Sequence, residues 1–221
     1  MNVLVVAAHP DDEALGAGAA IARHAKAGDH VSILFLTNGT SAREGASSAD
    51  ARERRACAEA AAGVMGAADL RFEDFPDNAM DTVPLLAIVK AVERAASAGA
   101  PEIVYLHHAG DLNIDHAIAA RAALTCFRPL PGARAKKLLA FEVPSSTGWD
   151  HAGAPFVPNL FLDAGAFLEA KLAAVAAYAP ELRDFPHARS LESIRARAVA
   201  WGTQAGLEAA EPFVTLREVV R

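Results

Sequence analysis

Residues 2–8 read NVLVVAA, an unbroken apolar run of strand length that stops at His9-Pro10-Asp11-Asp12-Glu13. A run that is apolar at every residue, rather than at every second one, suits a strand buried on both faces. Such a strand needs helices above and below it, so this one segment already points to an α/β layer structure. The chain then repeats the theme. An alanine-rich stretch over 13–27 closes at Gly28, as a helix does, and HVSILFLT over 30–37 is a second buried strand ending at the turn signal Asn38-Gly39. A polar loop, TSAREGASSAD, leads to a helix over 51–65, a short strand over 70–75 and a helix over 82–98. The strand EIVYLH over 102–107 and a helix over 115–127 follow. This alternation implies a mainly parallel sheet covered by helices on both faces.

From residue 136 the pattern changes. Residues 137–143 read as a strand, PSSTGWDHAGAPFVP over 144–158 as a loop, and 160–163 as a strand, with helices over 167–178 and 190–201. No internal repeat and no long linker interrupts the 221 residues, which are expected to form one domain spanning 1–221. The 52% hydrophobic fraction overstates the apolar bulk, because 53 residues are alanine. Alanine favours helix, so the excess suggests thin, closely packed helices on a small dense sheet.

Several classes are excluded. Charges break the alanine-rich stretches well short of the roughly 18 apolar residues of a membrane span, and the N-terminal run lacks the basic start of a signal peptide. Cys57 and Cys126 sit in helical contexts and form no CxxC pattern, so they read as small buried hydrophobes. A net charge of −6 speaks against nucleic acid as a partner. The expectation is a cytoplasmic protein with no membrane span, with a homo-oligomeric assembly left open.

Two polar clusters interrupt the apolar pattern. The first is residues 9–13 after the first strand; the second, His107-His108-Ala109-Gly110-Asp111-Leu112-Asn113-Ile114-Asp115-His116, begins where EIVYL ends. Together they hold four of the eight histidines. Polar strand-to-helix loops and helix-capping aspartates account for the acids, but not for histidine gathered at both ends. In open parallel sheets ligands bind beyond the carboxyl ends of the strands, where these clusters fall. Imidazole and carboxylate together suit zinc, which lowers the pKa of bound water and polarises a carbonyl, with a further carboxylate as base. Asp11 and Asp12 can divide these tasks, and spacing alone does not say which does which.

Ala8-His9-Pro10-Asp11-Asp12-Glu13 resembles the AHPDDE signature of the LmbE/PIG-L-like zinc-dependent N-deacetylases, and Asp115-His116 resembles that family's second metal motif. Residues 142–147, 158–163, Tyr178, 186–190 and 210–213 are similar to one bacterial branch of it. The resemblance implies a Rossmann-like three-layer α/β sandwich and hydrolysis of an N-acyl group, usually acetyl, from an amino sugar such as N-acetylglucosamine or from a glycoconjugate. Carried over by position, His9, Asp12 and His116 bind Zn2+ or another divalent transition metal, and Asp11 is the general base toward zinc-bound water. Asp115 is then the acid that orients or charges a neighbouring histidine. The sequence departs from many family members at Asn113, where a histidine is common, and Asp111-Leu112-Asn113-Ile114-Asp115-His116 resembles a branch of the family with a DxNxDH second motif; asparagine donates a hydrogen bond to an oxyanion but supplies no proton. The leaving amine's proton then comes from Asp11 or from His108.

Weaker signals carry two readings each. Arg54, with Arg55 beside it, contacts substrate or belongs to a solvated helix face. Trp149 and His151 cover the sugar or pack on their own domain. His187 and Arg189 bind an anionic group or lie in a surface loop. His24 and His30 read as ordinary surface residues, and Gly16 and Gly18 only faintly suggest a dinucleotide loop. Two rival functions remain at this level. A Mg2+-dependent phosphoryl-transfer enzyme would want oxygen ligands and a lysine, which the first cluster lacks; a non-catalytic sugar-binding protein would have lost a ligand or the base.

Overall fold

The structure, a computed structural model, describes residues 1–42, 44–45, 47–149 and 153–220. Its strands form one seven-stranded sheet: β1 (Asn2–Ala7), β2 (His30–Thr37), β3 (Asp69–Phe75), β4 (Ile103–His107), β5 (Lys137–Phe141), β6 (Leu160–Asp163) and β7 (Ala210–Glu218). The spatial order is β3-β2-β1-β4-β5-β7-β6. The first five strands are parallel; β7 runs antiparallel to both β5 and β6. Six α-helices accompany them among the described residues: α1 (Asp12–Lys26), α2 (Ser48–Met65), α3 (Leu85–Gly99), α4 (Ile114–Cys126), α5 (Leu168–Ala177) and α6 (Leu191–Ala205).

Alternation along β1 produces three layers. Val3, Val5 and Ala7 face a core shared with α1, α2, α5 and α6; Leu4, Val6 and Ala8 face a second core under α3 and α4. Each fully buried Val or Leu in these cores contributes roughly 1.5–3 kcal/mol. Alanines fill the helical side, with Ala119, Ala120, Ala122 and Ala123 of α4 all buried, which lets α3 and α4 approach each other and the sheet closely.

Local chemistry moves several boundaries from those expected. Helix α2 starts at Ser48 rather than 51, because Ser47 and Asp50 form a reciprocal capping box. Pro84 sets the start of α3, and residues 80–82 form a separate 3-10 turn. Strand β7 has no counterpart among the expected elements: Glu211, Pro212 and the charged end of the segment mask its period.

The glycines read faintly as a dinucleotide loop have another use. Helix α1 is broken at Ala17 (φ −139°, ψ 17°), between Gly16 and Gly18. A Cβ on Gly16 would lie 2.2 Å from the Phe141 ring, so glycine allows α1 to rest on β5. A buried ion pair splices the break. Glu211 of β7 accepts from the N–H groups of Ala19 and Ala20, while Lys171 of α5 donates to the Leu15 carbonyl and to Glu211 at 2.6 Å. The backbone groups orphaned by the kink thus find partners on the C-terminal elements.

From β1 the chain builds outward through β2 to β3, then crosses to β4 on the other side of β1. The loops leaving β1 and β4 therefore diverge and open a crevice at the switch point. Both polar clusters lie there.

Candidate metal centre

Three atoms converge in that crevice. His9 Nδ1 is 3.1 Å from Asp12 Oδ2, His116 Nε2 is 3.3 Å from His9 Nδ1, and His116 Nε2 is 3.4 Å from Asp12 Oδ2. All three residues are buried. Ligand atoms about 2.0–2.1 Å from a tetrahedral zinc stand about 3.3 Å apart, so the triangle has the size of a zinc-binding face.

Neighbouring carboxylates favour protons on the outer ring nitrogens, since a carboxylate only accepts. Asp115 Oδ2 and Asp77 Oδ1 lie 3.1 and 3.2 Å from His9 Nε2, and Asp111 Oδ1 lies 3.1 Å from His116 Nδ1. With protons on those outer nitrogens, His9 Nδ1, His116 Nε2 and Asp12 Oδ2 turn lone pairs on one another. The arrangement demands positive charge, and the donor set fits a divalent cation that accepts imidazole and carboxylate. The titration of the same groups expresses that demand. Burial opposes charge on His9, yet bonds to Asp115, Asp12 and Asp77 hold its pKa well above the ordinary value. Burial likewise opposes charge on His116, but Asp12 and Asp111 raise it to about 9. Asp12, despite burial, is held well below the carboxylate range by His116 and His107.

The supporting acids are themselves anchored. Asp115 accepts from the backbone N–H groups of Asn78 and Met80 at 2.6 and 3.0 Å. Its histidine partner is His9 of the other loop, not its chain neighbour His116, because successive helical residues point about 100° apart. His116 is served instead by Asp111, which also accepts from Ser146 at 3.1 Å, from the Thr147 hydroxyl and from Asn113 N–H. Asp77 and Asp111 were not singled out from the sequence. The former follows a strand with no histidine beside it; the latter lies within the second cluster, where the acids are equally well explained as polar loop residues.

Asp11 stands beside the triangle with both carboxylate oxygens buried and accepting no hydrogen bond among the described residues. Arg189 Nη1 is 3.2 Å and Arg54 Nη1 3.8 Å from its Oδ2. Burial raises the pKa of Asp11, and the two guanidinium groups oppose the shift. Both arginines also meet Glu181, at 3.0 Å from Arg54 and 3.3 Å from Arg189. Arg54 is thus a buried counter-ion beside Asp11 rather than part of a solvated face, whereas Arg55 is exposed and pairs with Glu59.

The other expected residues scatter around this centre. His107 lies within the sheet core, stacked on His116 with ring centroids 4.1 Å apart; its Nε2 accepts the Ala8 N–H, and burial with the His116 charge lowers its pKa to about 3. His108 turns away and its Nε2 donates to the Ala154 carbonyl at 2.8 Å. Asn113 caps α4, accepting from Asp115 N–H, while its amide donates to Asn78. Trp149 and His187 come together on the wall of a hollow of about 360 Å3, with Pro144, Ser145, Ser193 and Arg197. Trp149 is 60% exposed. Arg189 links this hollow to the centre, because its Nε donates to Ser145 while Nη1 faces Asp11. His151 lies outside the described residues.

No helix among the described residues is long and apolar enough to cross a membrane. The family model described as PIG-L, GlcNAc-PI de-N-acetylase, matches residues 4–127. A relative in Escherichia coli (strain K12), named uncharacterized deacetylase YaiS, is 28% identical over 165 residues, covering 72% of this chain and 80% of that protein. GalB, the 4-carboxy-2-hydroxymuconate hydratase of Pseudomonas putida KT2440, superposes with a TM-score of 0.80 at 25% identity, covering 100% of this chain and 98% of its own. The N,N'-diacetylchitobiose deacetylase of Pyrococcus horikoshii has the same fold, with a TM-score of 0.77 at 20% identity over 97% of this chain and 83% of its own.

Proposed function

This chain belongs to the PIG-L (LmbE-like) family, and from that premise we propose that it is a zinc-dependent N-deacetylase of an N-acetylated amino sugar or glycoconjugate, acting as one catalytic domain. The observation that carries the reading is the triangle of His9, Asp12 and His116 with the carboxylate of Asp11 beside it, ion-paired to Arg189 but accepting no hydrogen bond among the described residues. His9, Asp12 and His116 would hold the ion. When bound, it supplies Lewis-acid polarisation of the acyl carbonyl and acidifies the attacking water.

The protein's own groups do the rest. Asp11 accepts the proton of the attacking water and, carrying it, returns it to the leaving amine. This dual use suits a site where Asn113 is committed to the helix cap and His108 Nε2 to the Ala154 carbonyl. Asp115 and Asp111 keep the two imidazoles in register. Arg54 and Arg189 offset the buried charge of Asp11, and Arg189 borders the path from the hollow. Trp149 offers an aromatic face for a pyranose ring, with His187 and Ser145 on the same wall.

The test combines metal analysis with amine and acetate release from N-acetyl sugars and sugar-bearing natural products. About one zinc per chain and chelator-sensitive amine release are expected. Metal-loaded protein that releases no amine from any of them defeats the reading. The 25% identity to GalB over the whole chain supports a second reading, hydration of an unsaturated carboxylate at the same centre. Consumption of 4-carboxy-2-hydroxymuconate without amine release would favour it.

A further inference from the structure

Asp11 is the N-cap of α1, yet its carboxylate makes no capping bond. In an ordinary N-cap, aspartate turns its side chain onto the N–H groups of the first helical turn, which would consume the carboxylate. Asp11 avoids this because its backbone sits at φ 118°, ψ −27°, a conformation that a residue with a Cβ keeps only under constraint. The constraint comes from Glu13 and Tyr178. The Asp11 N–H donates to Glu13 Oε2 at 3.0 Å, and the other oxygen of that carboxylate accepts from the Tyr178 hydroxyl at 2.6 Å. Both side chains are fully buried. The Asp11 carbonyl is held as well, accepting from the N–H groups of Ala14 and Leu15. The Tyr178 ring also lies 5.9 Å from the Arg54 guanidinium, which faces Asp11.

We infer that Tyr178 is a positioning residue for the reaction: through Glu13 it fixes the Asp11 backbone so that the carboxylate stays off the helix and free to take a proton. The inference rests on reading Asp11 as the base. Tyr178 contributes no group to the reacting atoms, so its loss acts on turnover and not on binding.

Tyr178→Phe removes one hydroxyl and tests this. Its kcat is expected to fall at least tenfold, with KM and zinc per chain unchanged. A crystal structure of the variant is expected to show Asp11 at negative φ, its carboxylate bonded to the N–H of Glu13 or Ala14. Tyr105→Phe is the control: it deletes another buried hydroxyl, bonded to His24 at the far end of α1, and is expected to lower Tm without moving kcat. An unchanged kcat in Tyr178→Phe with a lowered Tm overturns the inference, since Tyr178 then only fills the core. Where Tyr178→Phe does not fold, Glu13→Met, which keeps about the volume and removes both acceptors, is expected to give the same split; an unchanged kcat there overturns it equally. Should the wild-type protein release no amine from any N-acetyl sugar, the functional reading fails separately. The φ of Asp11 in Tyr178→Phe then decides: near 118° overturns the inference, and negative upholds it.

Discussion

The triangle of His9, Asp12 and His116 and the wall beyond Asp11 touch each other, yet apart from Arg54 they come from different parts of the chain. His9, Asp12, Asp77, Asp111, Asp115 and His116 all fall within residues 4–127, the span of the family match. Glu181, Arg189, Tyr178 and the walls of the Trp149 hollow fall beyond it, on segments attached to the antiparallel edge of the sheet. The first region is buried, dense in charge and held by carboxylate–imidazole bonds. The second is half open and presents a tryptophan to solvent. On the proposed reading, water is activated at one switch point of the parallel strands, and what the water attacks is selected by a wall assembled separately. The two are joined mechanically by Lys171 and Glu211, which splice α1 from outside.

Substitutions on either side can break or sharpen this contrast. His116→Ala removes a corner of the triangle and is expected to abolish both zinc binding and turnover, read by metal analysis alongside amine release. Asp11→Asn should keep the zinc and lose about 10²–10⁴ in kcat; if metal left with activity, base and triangle would not be separable. Lys171→Met strands Glu211 in the core and is expected to cost about 3 kcal/mol of stability by denaturant unfolding. An effect near zero would mean that the halves are not coupled through α1. Asp111→Asn should weaken zinc affinity about tenfold to a hundredfold, measured by competition with a chelator. The smallest effect belongs to the wall: Trp149→Ala should raise KM about threefold to tenfold, with kcat and zinc content unchanged. A drop in kcat there would tie the hollow to the chemistry and erase the distinction.

How much was legible in the sequence follows the same divide. The parallel strands announced themselves, because burial on both faces leaves continuous apolar runs, and the histidines at two strand ends marked the crevice. Strand β7 stayed hidden, since Pro212 and Glu211 obscure its alternation although Glu211 is needed there to cap a broken helix. Asp77 stayed hidden for another reason: it reaches His9 only because β3 and β1 lie in one sheet, and nothing near it in the chain reports that. His107 shows the converse. It sits in the richest cluster, yet it packs in the core behind His116 and its Nε2 accepts the Ala8 N–H instead of forming a corner of the triangle.

By itself the sequence determined the layer architecture, through runs of apolar residues whose period a strand or helix must obey. It also supplied the atoms of the centre, because only certain side chains offer imidazole and carboxylate donors. Tertiary structure alone decided the pairings: Asp115 with His9, Asp111 with His116, and Asp11 between two arginines from opposite ends of the chain. Those depend on distances across the sheet, which spacing along the chain does not encode. The strained turn that keeps Asp11 off its own helix belongs with them, because its partner Tyr178 is close only in the folded molecule.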